Sequence, residues 1–199
     1  MKKIFLAAAL AALSTSALAG GFDGPFVQAS LGWAKTETKM TDGADTTKWH
    51  DSATIGKLSA GYGYSFGGFH LSGNVFYVVG DLKSGSLLLE DGTTVKTKGS
   101  NTYGVSVEPG WNVTESTLAY AKLSYVHTTG KVSADGIDPI SVSRGLNGFG
   151  YGVGVKQKLS QSLYGLAEIE QIDFGSTTVE GVKLKPSTFG AYVGVGYKF

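Results

Sequence analysis

The 199-residue sequence predicts a closed antiparallel transmembrane β-barrel of eight strands, with ten as the alternative, and three observations predict it. Apolar residues alternate at period two with small or polar ones in eight segments, as strands with unlike faces require. The links between segments alternate between short and long. The face opposite the apolar one is mostly glycine, serine and isolated charge, which suits a narrow interior and makes a poor exterior.

Ahead of the segments, Lys2 and Lys3 precede an apolar run over residues 4–13, followed by small residues ending in Ala17-Leu18-Ala19. This is the pattern of a secretory signal peptide cleaved after Ala19. The run is too short for a membrane helix, which needs about 20 residues. Residues 1–19 are therefore expected to leave, and residues 20–199 to form the barrel domain. The mature chain then carries 15 basic and 16 acidic residues, a net charge of −1. No basic excess is present to hold nucleic acid by counterion release. The absence of cysteine excludes a disulfide framework and a lipoprotein anchor.

The first segment sets Val27, Ala29, Leu31 and Trp33 against Gln28, Ser30, Gly32 and Ala34. The second sets Leu58, Ala60, Tyr62, Tyr64 and Phe66 against Lys57, Ser59, Gly61, Gly63 and Ser65. In the third, Phe69, Leu71, Val75, Tyr77 and Val79 oppose His70, Ser72 and Asn74, with Gly73 and Phe76 out of pattern. The fourth runs from Tyr103 to Val113 with Glu108 on its polar face; Pro109, lacking an N–H, requires a bulge or a break in the ladder. The fifth opposes Ala119, Ala121, Leu123 and Tyr125 to Tyr120, Lys122 and Ser124. The sixth opposes Phe149, Tyr151, Val153 and Val155 to three glycines and Lys156, with Lys158 following on the same face. The seventh has Leu163, Ala167 and Ile169 against Tyr164, Glu168 and Glu170. The eighth runs from Phe189 to Phe199, with Gly190, Tyr192, Gly194, Gly196 and Lys198 on its other face.

The short links are Gly67-Gly68, 114–116 and 160–162; the long ones are 36–52, 80–101, 128–147 and 173–187. Short periplasmic turns, long extracellular loops and strands of about 10 residues define a transmembrane barrel. An open sheet in lipid would leave unpaired edges, so the first and last strands must meet. An even strand count returns both termini to the periplasmic side, and eight satisfies it. The stretch 86–96 reads as a hairpin around Asp91-Gly92. It is expected to extend the third and fourth strands above the membrane; counted as two further strands it gives the ten-stranded alternative. A soluble sandwich or lipocalin-like barrel also alternates, but it hides its apolar face and exposes its polar one.

The ending Gly194-Val195-Gly196-Tyr197-Lys198-Phe199 resembles the C-terminal signal of outer-membrane barrel proteins, with an aromatic last residue and apolar residues at alternate positions before it. The resemblance implies that the outer-membrane assembly machinery recognises this strand through Tyr197 and Phe199. With the signal end and the eight segments, the mature chain resembles the OmpA/OmpX-like small barrels. That implies export through the periplasm to the Gram-negative outer membrane, and contact there with outer-membrane lipids and lipopolysaccharide. A monomer is expected, and no domain is expected after Phe199.

Lys57, Glu108, Lys122, Lys156, Lys158, Glu168 and Glu170 all fall on the inward face. An eight-stranded interior is just wide enough for side chains to fill it. These charges are expected to pair as a lumenal polar network, with an ion path between them as the sharper alternative. His70 and Ser72 resemble part of a lipid A deacylase motif, but Gly73 stands where that motif continues with Asn. His50-Asp51 suggests the acid–base pair of the omptin proteases, yet neighbours on a strand point to opposite faces. His127 is read as an interfacial residue, and Asp135 with Asp138 supplies too few carboxylates for calcium. No catalytic residue, metal or cofactor is assigned. The expected function is that of a non-enzymatic surface barrel acting through its loops, with a narrow porin and a lipid A-modifying enzyme as the alternatives.

Overall fold

The computed structural model describes residues 21–42, 45–88, 94–135, 140–179 and 182–199. The expected signal peptide lies outside them. Ten strands occur in these residues: β1 (Gly24–Asp42), β2 (Asp45–Phe66), β3 (Phe69–Val79), β4 (Leu82–Leu88), β5 (Thr94–Asn112), β6 (Thr117–Asp135), β7 (Ile140–Lys158), β8 (Leu163–Phe174), β9 (Thr177–Val179) and β10 (Val182–Lys198). Eight of them form the barrel wall, in the order β1-β2-β3-β5-β6-β7-β8-β10, and β10 returns to pair with β1 from Phe26↔Lys198 to Thr41↔Lys183. All neighbours are antiparallel, so no edge in the wall is left unpaired.

The other two strands are extensions above the barrel. β4 pairs only with the upper part of β5, from Leu82↔Gly99 to Leu88↔Thr94, and β9 pairs with the start of β10. The 86–96 hairpin is therefore an extension and not part of the wall; its turn lies outside the described residues.

The long links were expected as loops, and the structure differs. β1 and β2 stay in register to Asp42↔Asp45, and β6 pairs with β7 up to Ala134↔Ile140. Much of the extracellular part is thus paired strand. Threonines and β-branched residues at positions such as Thr36, Thr38, Val132 and Val142 favour pleated backbone, and continued pairing satisfies backbone groups that a loop would leave to water.

Two irregularities have visible causes. The β5–β6 ladder stops at Val107↔Leu123 and resumes in unchanged register at Gly110↔Tyr120, leaving Glu108 and Pro109 without partners on that side. Pro109 has no N–H to give, so the interruption sits at the residue that cannot continue the ladder. Between Ser100 and Tyr103 the register slips by one, and Asn101 there takes φ 52°. A bulge with Asn in the left-handed region absorbs the extra residue. At the short periplasmic turn, Gly67 takes φ 64°.

The outward face is apolar and open: Phe149 is 71% exposed and Val193 65%, and Leu31, Trp111 and Tyr151 are exposed beside them. The inward face holds charge and hides it, with Lys122 at 3% and Glu108 at 2%. A water-soluble barrel has the opposite arrangement. Only hydrocarbon accepts a continuous belt of this kind, with aromatic residues at its two rims. Phe66, Phe69, Trp111, Tyr197 and Phe199 stand at the periplasmic rim, and Trp33, Tyr77, Tyr103, Phe149 and Phe189 at the other.

Candidate functional site: a sealed lumen

Every large inward side chain needs space on the neighbouring strand, and the alternating glycines provide it. Tyr120 is paired with Gly154, Tyr164 with Gly196 and Tyr192 with Gly32. A Cβ added at Gly154, Gly196 or Gly32 would run into the ring of its partner tyrosine. Gly152 lies between Lys122 on one side and Glu170 on the other. Glycine here therefore serves as vacancy for a neighbour, and an interior only a few side chains wide is filled by what stands opposite.

Into this space the strands bring two charged clusters. Lys57 Nζ of β2 lies 2.6 Å from Glu168 Oε1 and 3.2 Å from Glu170 Oε2, both on β8. Lys122 Nζ of β6 approaches the same two oxygens at 2.9 and 3.4 Å. Tyr120 donates its hydroxyl to Glu168 Oε2 at 2.9 Å, and Ser124 donates to Glu170 Oε1 at 2.7 Å. In the second cluster, Lys156 Nζ of β7 pairs with Glu108 Oε2 of β5 at 2.7 Å. Ser72 and Asn74 also donate to Glu108, at 3.1 and 2.7 Å, and Ser106 donates to Asn74 Oδ1 at 2.9 Å.

Three lysines meet three glutamates, so the layer is neutral, and the carboxylates take further donors beyond the ion pairs. That is the condition under which buried charge becomes tolerable. Aromatic rings cover what the carboxylates leave free. Lys57 Nζ sits 3.8 Å from the Tyr192 ring centroid, Lys122 Nζ 5.2 Å from that of Phe76, and Lys156 Nζ 4.8 Å from that of Tyr120 and 5.0 Å from that of Phe26. Between the two clusters lies a gap of about 10 Å³, lined by Lys57, Asn74, Glu108, Lys122 and Glu168 among others.

The seventh inward charge, Lys158, does not join. It is half-buried at the periplasmic mouth, with Nζ 5.7 Å from the Phe22 ring. Phe22 closes this end, meeting Tyr164 edge-on at 5.8 Å and packing with Leu118. On the extracellular side of the charges lies an apolar layer of Ala34, Ile55, Phe76, Val78, Val126, Ile172 and Phe174, joined by Leu82 and Tyr192. Above it come hydroxyl pairs, Thr36 with Thr188 at 3.0 Å and Thr102 with Thr128 at 2.7 Å.

Both apolar closures went unread in the sequence. The sequence predicts an interior of glycine, serine and charge; the structure adds an apolar layer above the charges, and below them Phe22, Leu118 and Tyr164 share the periplasmic end with His70 and Lys158. The available signal was the loss of alternation near the upper ends of strands, as at Val78-Val79 and Tyr125-Val126, where both faces are apolar. Phe76, out of pattern in the sequence, belongs to this layer, and Gly104 opposite makes room for it.

None of the candidate catalytic arrangements assembles. Ser72 is engaged with Glu108. His70 is buried, and its Nδ1 lies 2.9 Å from Ser65 Oγ and 3.6 Å from Asp23 Oδ1. Both contacts fall on one ring nitrogen, so the ring cannot relay a proton between them. His50 and Asp51 are consecutive residues of β2, opposite Glu37 and Thr36. His127 meets Tyr103 at 5.2 Å on the outer face and Asn147 Oδ1 at 2.7 Å. Asp138 lies outside the described residues, and among those described no three histidine, aspartate or glutamate side chains gather as a metal site.

An eight-stranded closed barrel, apolar outside and filled inside by neutralised charge between two apolar layers, defines a small outer-membrane β-barrel protein. The family model for the outer membrane protein β-barrel domain matches residues 5–199, and the chain belongs to that family.

Solved barrels share the fold. Neisserial surface protein A is 18% identical, over 88% of this chain and 97% of that one, at a TM-score of 0.50. The outer membrane protease OmpT of Escherichia coli is 10% identical, over 94% and 100%, at 0.51. Ail, the attachment invasion locus protein of Yersinia pestis, solved in complex with the heparin analogue sucrose octasulfate, is 18% identical, over 87% and 99%, at 0.46. At these identities the likeness to Neisserial surface protein A and OmpT shows the fold alone. A search of curated proteins finds no match.

Proposed function

We propose that the chain is a non-enzymatic, non-conducting barrel that is exported through the periplasm, reinforces the outer membrane and presents its extracellular hairpins for contact. The observation that carries this reading is the sealed lumen. The gap of about 10 Å³ between the charged clusters has room for roughly one water molecule. Apolar clusters lie on both sides of it, and an ion crossing the upper one, among Ala34, Ile55, Val78, Val126 and Ile172, would be stripped of water with no charge to replace its shell.

Export and insertion are assigned to the two ends of the chain. Residues 1–19 direct secretion, and the assembly machinery takes the last strand, where Tyr197 and Phe199 stack edge-on at 5.1 Å and the Phe199 N–H bonds Pro25 O at 3.0 Å. The exposed apolar belt makes outer-membrane lipid its solvent and constant partner. The barrel acts as a monomer.

Purified protein in planar bilayers is expected to give no conductance steps. Steps of defined size from the unmodified barrel would overturn the sealed-lumen reading and favour a narrow porin. Lipid A mass spectra are expected to be unchanged when the gene is deleted; loss of a modified species would show an enzyme.

A further inference from the structure

The chain enters the wall from inside the periplasmic mouth. Gly24, the first residue of β1, takes φ 105°, a conformation that glycine accepts at no steric cost. Residues 21–23, ahead of it, form a strap across the mouth. Phe22 is buried with Leu118 and Tyr164, and meets the rings of Tyr164 and His70 edge-on at 5.8 and 6.3 Å. Lys198 Nζ donates to Gly21 O at 3.4 Å, and Lys158 Nζ stands over the Phe22 ring. Gly63 gives the strap its space: a Cβ there would meet the Phe22 carbonyl oxygen and the His70 ring, each at 2.8 Å.

One attachment of the strap is incomplete. Among the described residues, Asp23 Oδ1 is the one buried side-chain oxygen or nitrogen with no hydrogen-bond partner. It faces His70 Nδ1 at 3.6 Å, and the same nitrogen lies 2.9 Å from Ser65 Oγ. A buried acceptor without a donor is costly, so this oxygen marks a place for a proton. The imidazole offers two states. With Nδ1 unprotonated, the nitrogen accepts from the Ser65 hydroxyl and Asp23 faces a lone pair. With both ring nitrogens protonated, Nδ1–H turns to Asp23 in a charge-assisted bond, and the strap is tied.

The other charges near the ring leave Asp23 as its partner. Deeper in the lumen, Glu108 of β5 and Lys156 of β7 act on His70 with opposite sign, and they are paired with each other at 2.7 Å. β2 contributes Ser65 and β8 contributes Tyr164, neither of them a charge. Toward the periplasm stand Lys158 of β7 and Lys198 of β10, and the charge of Asp23 reaches Lys198 as well.

We propose that Asp23 and His70 form a proton-dependent latch on this strap, fastened when the imidazole is protonated and slack when it is neutral. The sign follows from linkage. The closed strap holds the proton more tightly than the open one, so acid favours closure, and the tie is lost as pH rises through the titration of the histidine. Opening gives water access to Phe22, Leu118 and Tyr164 from the periplasmic side. The apolar layer above the charges stays in place, so the latch changes the hydration of the lower lumen and leaves the seal intact.

The test is hydrogen exchange of the full mature barrel in detergent micelles at about pH 5.5 and about pH 8, on either side of histidine titration. It is read by mass spectrometry on the peptide containing Phe22 and Asp23, corrected for the intrinsic pH dependence of exchange, with the wall strands as internal control. Protection of that peptide is expected to be roughly tenfold higher at the lower pH, the factor supplied by one unit of difference in proton affinity between the two forms. D23N and H70Q are expected to show the unmodified barrel's high-pH protection at both values. S65A is expected to keep the response, because Asp23 still receives the proton. A heat-modifiable gel shift establishes that each variant is folded, and D23N, at a partly exposed position, decides the matter should H70Q not fold.

Equal protection of the unmodified strap at the two pH values overturns the inference. So does a D23N barrel that keeps the tenfold response, or a response shared by the whole wall, which would report global stability and not a latch.

Discussion

Two adjacent layers of the same lumen hold the barrel shut by opposite means. The middle layer joins Lys57, Lys122 and Lys156 to Glu108, Glu168 and Glu170 through ion pairs with little volume to spare. The layer above packs Ile55, Phe76, Val78, Val126 and Ile172 without a charge among them. The first is directional and fails when a single proton-sized change removes a charge. The second is cumulative, and fails only in proportion to the volume removed. A narrow lumen has room for both only because Gly32, Gly104, Gly154 and Gly196 stand opposite the bulky rings of Tyr192, Phe76, Tyr120 and Tyr164.

The comparison is broken most severely at Glu168, the carboxylate shared by Lys57 and Lys122. Glu168→Gln keeps the volume and removes the charge, leaving two buried ammonium groups to divide Glu170. A loss of about 3–5 kcal/mol is expected, the usual cost of breaking a buried pair by removing one partner. Urea unfolding of the refolded barrel in micelles, followed by tryptophan fluorescence, checks it. A loss below about 1 kcal/mol would show that the cluster contributes no more than a surface pair.

A smaller and more discriminating effect is expected at the second cluster. Lys156→Met leaves Glu108 with Ser72 and Asn74 as its donors among the described residues, and about 3 kcal/mol should be lost. Adding Glu108→Gln removes the orphaned charge while its amide oxygen still accepts from Asn74. The double variant should regain about 2 kcal/mol, within the range of coupling energies for contacting residues. Strict additivity of the two changes would mean that Lys156 acts by packing against Phe26 and Tyr120, and not by charge.

The two layers also differ in how far they could be read from sequence. The charged residues stood out because each interrupts a run of glycine and serine on a face that alternation had already assigned inward. Six of the seven network residues meet in the structure; Lys158, one step nearer the periplasmic mouth, stands apart, as does the inward Lys198, which donates to Gly21 O at 3.4 Å. The wall of eight strands, the exposed outer belt and the break at Pro109 were legible for the same reason: period two and a missing N–H are local properties. The apolar layer was not legible. Val78 and Val126 continue an alternation whose outward neighbours, Tyr77 and Val79, Tyr125 and His127, are also apolar or aromatic, so no local contrast distinguishes the faces; Ile172, between Gln171 and Asp173, lies past the end of the alternation that marked its strand. Phe22 lies ahead of the first segment, and only the closed barrel brings it under Tyr164. The extracellular hairpins were read as loops because threonine and lysine are polar, although their backbone pairing depends on the strand opposite.

The smallest expected effect tests whether the upper layer is as forgiving as its composition suggests. Ile172 is buried on β8, with its Cα opposite Gly150 on one side and Thr188 on the other. Ile172→Val removes one methylene from a cluster whose other members are aliphatic or aromatic, and about 0.5–1.5 kcal/mol should be lost. Conductance in planar bilayers should stay at baseline, because the charged layer beneath still closes the path. If this single methylene produced conductance steps, the seal would reside in the hydrocarbon layer and the ion pairs would serve stability alone. If it cost several kcal/mol, the layer would be packed as tightly as the charges, and the contrast between the two would vanish.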